Sequence, residues 1–109
     1  MSTLTLTQAN KIVEVALAKA REMKIKPLAV AVLEQSGHVK SLQRAKENPQ
    51  FFGALAATAQ GKFLPQTGAV VIKDLAGNVL GAAGASGGTG DEDEAVCIAG
   101  VEAAGLMHG

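Results

Sequence analysis

Tryptophan and tyrosine are absent from these 109 residues, phenylalanine occurs three times, and cysteine occurs once. Without a set of aromatic rings there are no stacking platforms of the kind that hold single-stranded nucleic acid. The lone Cys97 excludes an intrachain disulfide framework, a cysteine-rich zinc site and a CxxC redox pair, and it fits a reducing compartment. An excess of one charge is also missing, since ten Lys and Arg balance ten Asp and Glu. That balance argues against a duplex-binding footprint or a basic membrane-surface module. No apolar run approaches the length of a membrane span, and the opening MSTLTLTQANK lacks the basic region and apolar stretch of a secretory leader. The expectation is a soluble, cytoplasmic protein that engages neither nucleic acid nor membrane.

What is abundant is small. Alanine (20) and glycine (13) together make up 33 residues, so the core is built from small and aliphatic side chains, and its backbones should approach closely. The length suits one domain spanning 1–109. Residues 5–24 repeat apolar positions at helical spacing (Leu6, Ala9, Val13, Ala16, Leu17, Ala20, Met23), with Thr5 or Thr7 as cap and Pro27 as stop. LAVAVL, the turn EQSGH and Val39–Gln43 read as a β-hairpin. Asn48-Pro49 opens a short helix through about Ala59, which Gly61 ends. A brief KFLP edge segment, Ala69–Lys73, the turn DLAGN and Val79–Ala85 follow as strands. Thr89 and Glu92 have capping-box spacing for a final helix that Gly105 ends. Strands joined by tight turns imply an antiparallel sheet with the terminal helices packed on it.

Few residues suggest chemistry on their own. The run from Gly81 to Gly90 leaves a strand and enters a helix, a place where backbone amides can hold an anion. Asp91, Glu92, Asp93 and Glu94 follow at once and would repel phosphate while complementing the helix N-terminus. A structural turn is the plainer reading of the glycines, and helix-end electrostatics the plainer reading of the acids. Only Asp91 and Glu94 would share a face toward a divalent cation. His38 falls in the hairpin turn and His108 in a frayed tail, each an exposed polar residue, although one histidine is enough as an axial haem ligand and His38 is the better placed. Arg44, at the end of the second strand, is suited to clamp a carboxylate through paired hydrogen bonds or to stand as a surface arginine. Cys97, inside the last helix, reads as a small hydrophobe.

Three segments, LTLTQA, LAVAVLEQSGHVKSLQR and TGAVVIKDLAGNVLGAAGASGGTGDEDEA, resemble the GlcG-like family. That family includes the HbpS-like haem-binding proteins and the C-terminal domain of PduO-type adenosyltransferases. The resemblance implies a profilin-like α/β (α+β) fold with an antiparallel five-stranded sheet flanked by helices, and a homo-oligomer. It also implies a departure, because family members usually carry a few dozen further residues, including a helix, where Arg44 here runs into Ala45. The function it implies is small-molecule binding, with haem or a related tetrapyrrole as ligand. Gly87, Gly88 and Thr89 would then form one wall, Arg44 would meet a propionate, and His38 would be the axial ligand. The alternative is a small accessory catabolic enzyme acting on an organic acid or aldehyde in an inter-subunit pocket. Arg44 would orient its substrate, and Asp93 or Glu94 would move a proton.

Overall fold

A computed structural model describes residues 3–25, 29–44 and 69–109, with Arg44 described by its backbone alone. Helix α1 (Leu6–Glu22) starts where Thr5 and Gln8 cap each other, each side chain accepting the other's backbone N–H at 3.0 Å. Its buried stripe is Ala9, Ile12, Val13, Ala16, Leu17 and Ala20. Leu6 does not join that stripe and is 55% exposed; Leu4, ahead of the cap, is buried instead. Leu4 and Ala9 therefore occupy the positions of a hydrophobic staple within one core cluster. Met23 also lies outside the stripe because the helix has already ended there. The stop is a Schellman turn: Lys24 adopts φ 57° and donates to the Arg21 carbonyl at 3.1 Å, while Ile25 donates to the Ala20 carbonyl at 3.0 Å. The helix thus ends before Pro27, which lies outside the described residues.

Strands β1 (Ala29–Glu34) and β2 (Val39–Arg44) form the expected hairpin. β3 (Ala69–Lys73) and β4 (Val79–Ser86) are joined by a turn in which the Asp74 carboxylate accepts the Ala76 and Asn78 amides at 3.0 and 2.8 Å. Helix α2 (Gly90–Ala103) follows. At its end Gly105, at φ 78°, donates to the Glu102 carbonyl and Leu106 to that of Val101, a second Schellman turn. That turn sends the chain back along β3, where Met107 and His108 form β5 opposite Lys73 and Ile72. His108 therefore belongs to the sheet and not to a frayed tail. The expected helix from Asn48 and the KFLP segment lie outside the described residues.

The sheet order is β2-β1-β4-β3-β5, with every pair antiparallel, which is the five-stranded α+β architecture expected. Both helices pack into one cluster with Val30, Val32, Val70, Ile72 and Ala83. Close approach is achieved at Gly100, where any Cβ would collide with the Ile12 carbonyl of α1.

This topology gives the sheet two distinct ends. Ala29 pairs with Arg44 on one side and Ser86 on the other, so the end of β2, the start of β1 and the exit of β4 lie together. Glu34 pairs with Gly81 at the opposite end, beside the hairpin turn.

Candidate functional site

At the first end, β4 passes through Gly87 and Gly88 into α2. Thr89 is the N-cap: its hydroxyl oxygen accepts the Glu92 amide at 3.2 Å, and Glu92 Oε1 accepts the Thr89 amide at 2.9 Å, the capping box read from the sequence. Asp93 Oδ1 accepts the Gly88 amide at 2.9 Å. The amides of Gly88 and Thr89 are therefore committed to carboxylates of their own helix. Those two donors are thus not available as an anion cradle.

Asp93 is only 6% exposed, a different environment from the solvated helix end that a DEDE run suggests. Burial raises its carboxyl above the usual 3.8, opposed by hydrogen bonds from the Gly88 and Gly87 amides and reinforced by Glu92. A signal for this was present in the sequence: Asp93 precedes Val96, Cys97 and Gly100 at spacings of three, four and seven, the buried face of α2. Gly88 is hemmed in as well. A Cβ there would lie 2.8 Å from Ile25 Cγ2, 2.9 Å from Glu92 Oε1 and 3.1 Å from Asp93 Oδ1. Cys97 is fully buried, and its thiol is pushed up to about 12 by burial, with Asp93 and Glu94 adding to the rise. It behaves as a core residue and not as a nucleophile.

Arg44 lies at this same end by register, two strand spacings from Ser86 across Ala29, roughly 10 Å. His38 lies elsewhere. It sits in the hairpin turn with an 85% exposed side chain, its Nδ1 3.0 Å from Ser36 Oγ and 3.4 Å from Glu34 Oε1. Glu34 Oε1 also accepts the Ser36 amide and hydroxyl and the His38 amide. These contacts hold the Glu34 carboxyl below its usual 4.5, the Ser36 hydroxyl most strongly and the His38 amide next. The length of β1, roughly 17 Å, separates this turn from Gly87 and Gly88. The structure thus brings Arg44, Gly87, Gly88 and Thr89 to one end and leaves His38 at the other. Among the described residues, no three His, Cys, Asp or Glu side chains converge to hold a metal, and no helix is long and apolar enough to cross a membrane.

A five-stranded antiparallel sheet with two helices packed on it, and a glycine turn braced at one end, defines a small α+β protein. The chain belongs to the HbpS-like family, described as haem degrading proteins, whose model matches residues 42–102. No curated protein matches it. Among solved structures it is similar to HbpS (TM-score 0.75, 22% identity, covering 94% of this chain and 90% of that one). It is also similar to a PduOC:haem complex (TM-score 0.76, 15% identity, 96% and 97%). A third neighbour is the ORFY protein of Klebsiella pneumoniae (TM-score 0.77, 18% identity, 96% and 92%). At these identities the likeness shows the shared fold.

Proposed function

We propose that this protein binds haem or a related tetrapyrrole at the sheet end formed by Arg44 and the Gly87–Thr89 turn, as a single-domain cytoplasmic homo-oligomer. The observation that carries this reading is membership of a family described as haem degrading. A fold neighbour in complex with haem supports it. Arg44 supplies a guanidinium suited to a propionate through two parallel hydrogen bonds. The turn, its Gly88 and Thr89 amides already bonded, lines the site by shape.

His38 fits an axial role chemically, because Glu34 and Ser36 beside Nδ1 are the kind of partners that orient a metal-bound imidazole. With β1 separating it from the turn, His38 and Arg44 would serve one haem from different copies of the chain. Asp93 is engaged by its own turn, which is why binding rather than proton transfer is proposed.

Titration with ferric haem tests the reading. A Soret shift saturating near one equivalent supports it, and no shift rejects it. Arg44→Ala should weaken binding about tenfold, the loss of roughly one charge-assisted contact. His38→Ala should change the spectrum; an unchanged spectrum rejects the axial assignment. Mixing His38→Ala with Arg44→Ala chains should restore part of the wild-type spectrum if the site lies between copies.

A further inference from the structure

The proposed site has a wall of two glycines, which has no intrinsic reason to keep one shape, since glycine loses more conformational freedom on ordering than any other residue. Something must hold it. The side chains against Gly88 are Ile25, Glu92 and Asp93. Ile25 is half-buried and follows the Schellman turn of α1, so it presses on the turn from the neighbouring helix's exit. Glu92 is occupied by the capping box at Thr89. Asp93 is different in kind: it is the one charged residue that is buried among the described residues, and its carboxylate oxygen is spent on a backbone amide of the turn. Helix capping does not need it, because Thr89 and Glu92 already complete the box, and attraction to the helix N-terminus is available to a solvated acid without burial. Asp91 is exposed in the same first turn and illustrates that option. Burying a carboxylate is costly unless it makes compensating hydrogen bonds, and those bonds go to the turn.

We infer that Asp93 is the positioning residue of this site: from inside the fold its carboxylate fixes the Gly87-Gly88 turn and thereby sets the wall that the ligand meets. The inference deepens the haem-binding reading and rests on it for the identity of the ligand, but the hold on the turn is measurable without ligand. The Gly88 amide is the reporter. In Asp93→Ala it should exchange with solvent at least tenfold faster, as expected for loss of a charge-assisted bond. The β1 amides of Val30 and Val32 should stay protected. Haem affinity should fall about tenfold with an altered Soret band. Asp93→Asn keeps a carbonyl oxygen for the same amide and should restore both readouts to within a few-fold.

A Gly88 amide that exchanges equally in wild type and Asp93→Ala overturns the inference. So does an Asp93→Asn chain as impaired in haem binding as Asp93→Ala, because positioning by the hydrogen bond predicts rescue. Should Asp93→Ala fail to fold, Asp93→Asn decides alone: exchanging a charged acceptor for a neutral one moves the Gly88 amide resonance upfield, and an unmoved resonance overturns the assignment. A wild-type chain that shows no haem binding removes the ligand reading, while the amide result still decides the role of Asp93.

Discussion

The two ends of the sheet are closed by the same device in opposite surroundings. At the hairpin end, Glu34 gathers the Ser36 and His38 amides on a carboxylate in contact with solvent. At the other end, Asp93 takes the Gly88 amide on a carboxylate shut inside the fold. Hydrogen bonds dominate in the first case and hold the Glu34 carboxyl low; desolvation dominates in the second and raises the Asp93 carboxyl. The state a turn carboxylate favours is set by the balance of the two: hydrogen bonds outweigh desolvation at Glu34, and desolvation outweighs them at Asp93. The exposed version suits a hairpin tip, and the buried version suits a two-glycine turn held against the core.

The contrast is broken most severely by unseating the helix that carries Asp93. Gly100→Ala drives a methyl group into the Ile12 carbonyl, where neither backbone yields easily. It should cost about 3 kcal/mol by denaturant unfolding, with the Asp93 end loosening before the hairpin end in amide exchange. Asp93→Ala leaves the Gly88 amide without its acceptor and should cost about 2 kcal/mol, read as a lower denaturation midpoint. Glu34→Ala should lower it less, since water reaches the amides it exposes. An equal loss at both ends would erase the distinction.

Lys24→Gly probes backbone strain away from both turns. It relieves a left-handed lysine at the end of α1 and should stabilise the fold by about 0.5–1 kcal/mol, read as a higher denaturation midpoint.

The smallest effects concern pH, where the two ends should respond with opposite sign. Asp93 has a raised pKa in the folded state, so its contribution is most favourable below about 3.8 and is lost as pH rises through the folded value. Glu34 has a lowered one, so its contribution is present above about 4.5 and is lost as pH falls through the folded value. Relative to wild type, Asp93→Asn should accordingly fare better at about pH 7 than at about pH 3.5, and Glu34→Gln should fare better at the acidic value than at the neutral one. Unfolding curves at the two pH values check both, and slopes of the same sign would contradict the contrast.

Local chemistry made much of this fold legible. Thr5 and Thr89 stand three residues before Gln8 and Glu92, and both pairs form capping boxes. Gly105 takes the left-handed position expected of a helix stop, and the hairpin turns at Gly37, after the continuous apolar run of β1. Long-range packing was less accessible. β5 exists because a Schellman turn redirects Met107 and His108 onto β3, a pairing with no pattern of its own in two residues. Ile12 lies beside the stripe read from the sequence, yet it is fully buried and its carbonyl lies against Gly100 of α2. At the candidate site, the register sets the backbone of Arg44 at the sheet end from which β4 leaves toward Gly87, Gly88 and Thr89. The separation of His38 from Arg44 follows from the length of β2, with the turn at one end of that strand and Arg44 at the other. The run DEDE concealed Asp93, because composition treats four acids alike while helical geometry turns one of them inward.

We propose that an oligomer of this chain holds haem at the Arg44 end of its sheet. Native mass spectrometry after incubation with one equivalent of ferric haem tests it most directly, since chain mass, subunit number and retained ligand appear in one spectrum. The account predicts an oligomer carrying haem-sized adducts that diminish in Arg44→Ala. Bare chains in the wild-type spectrum would contradict it.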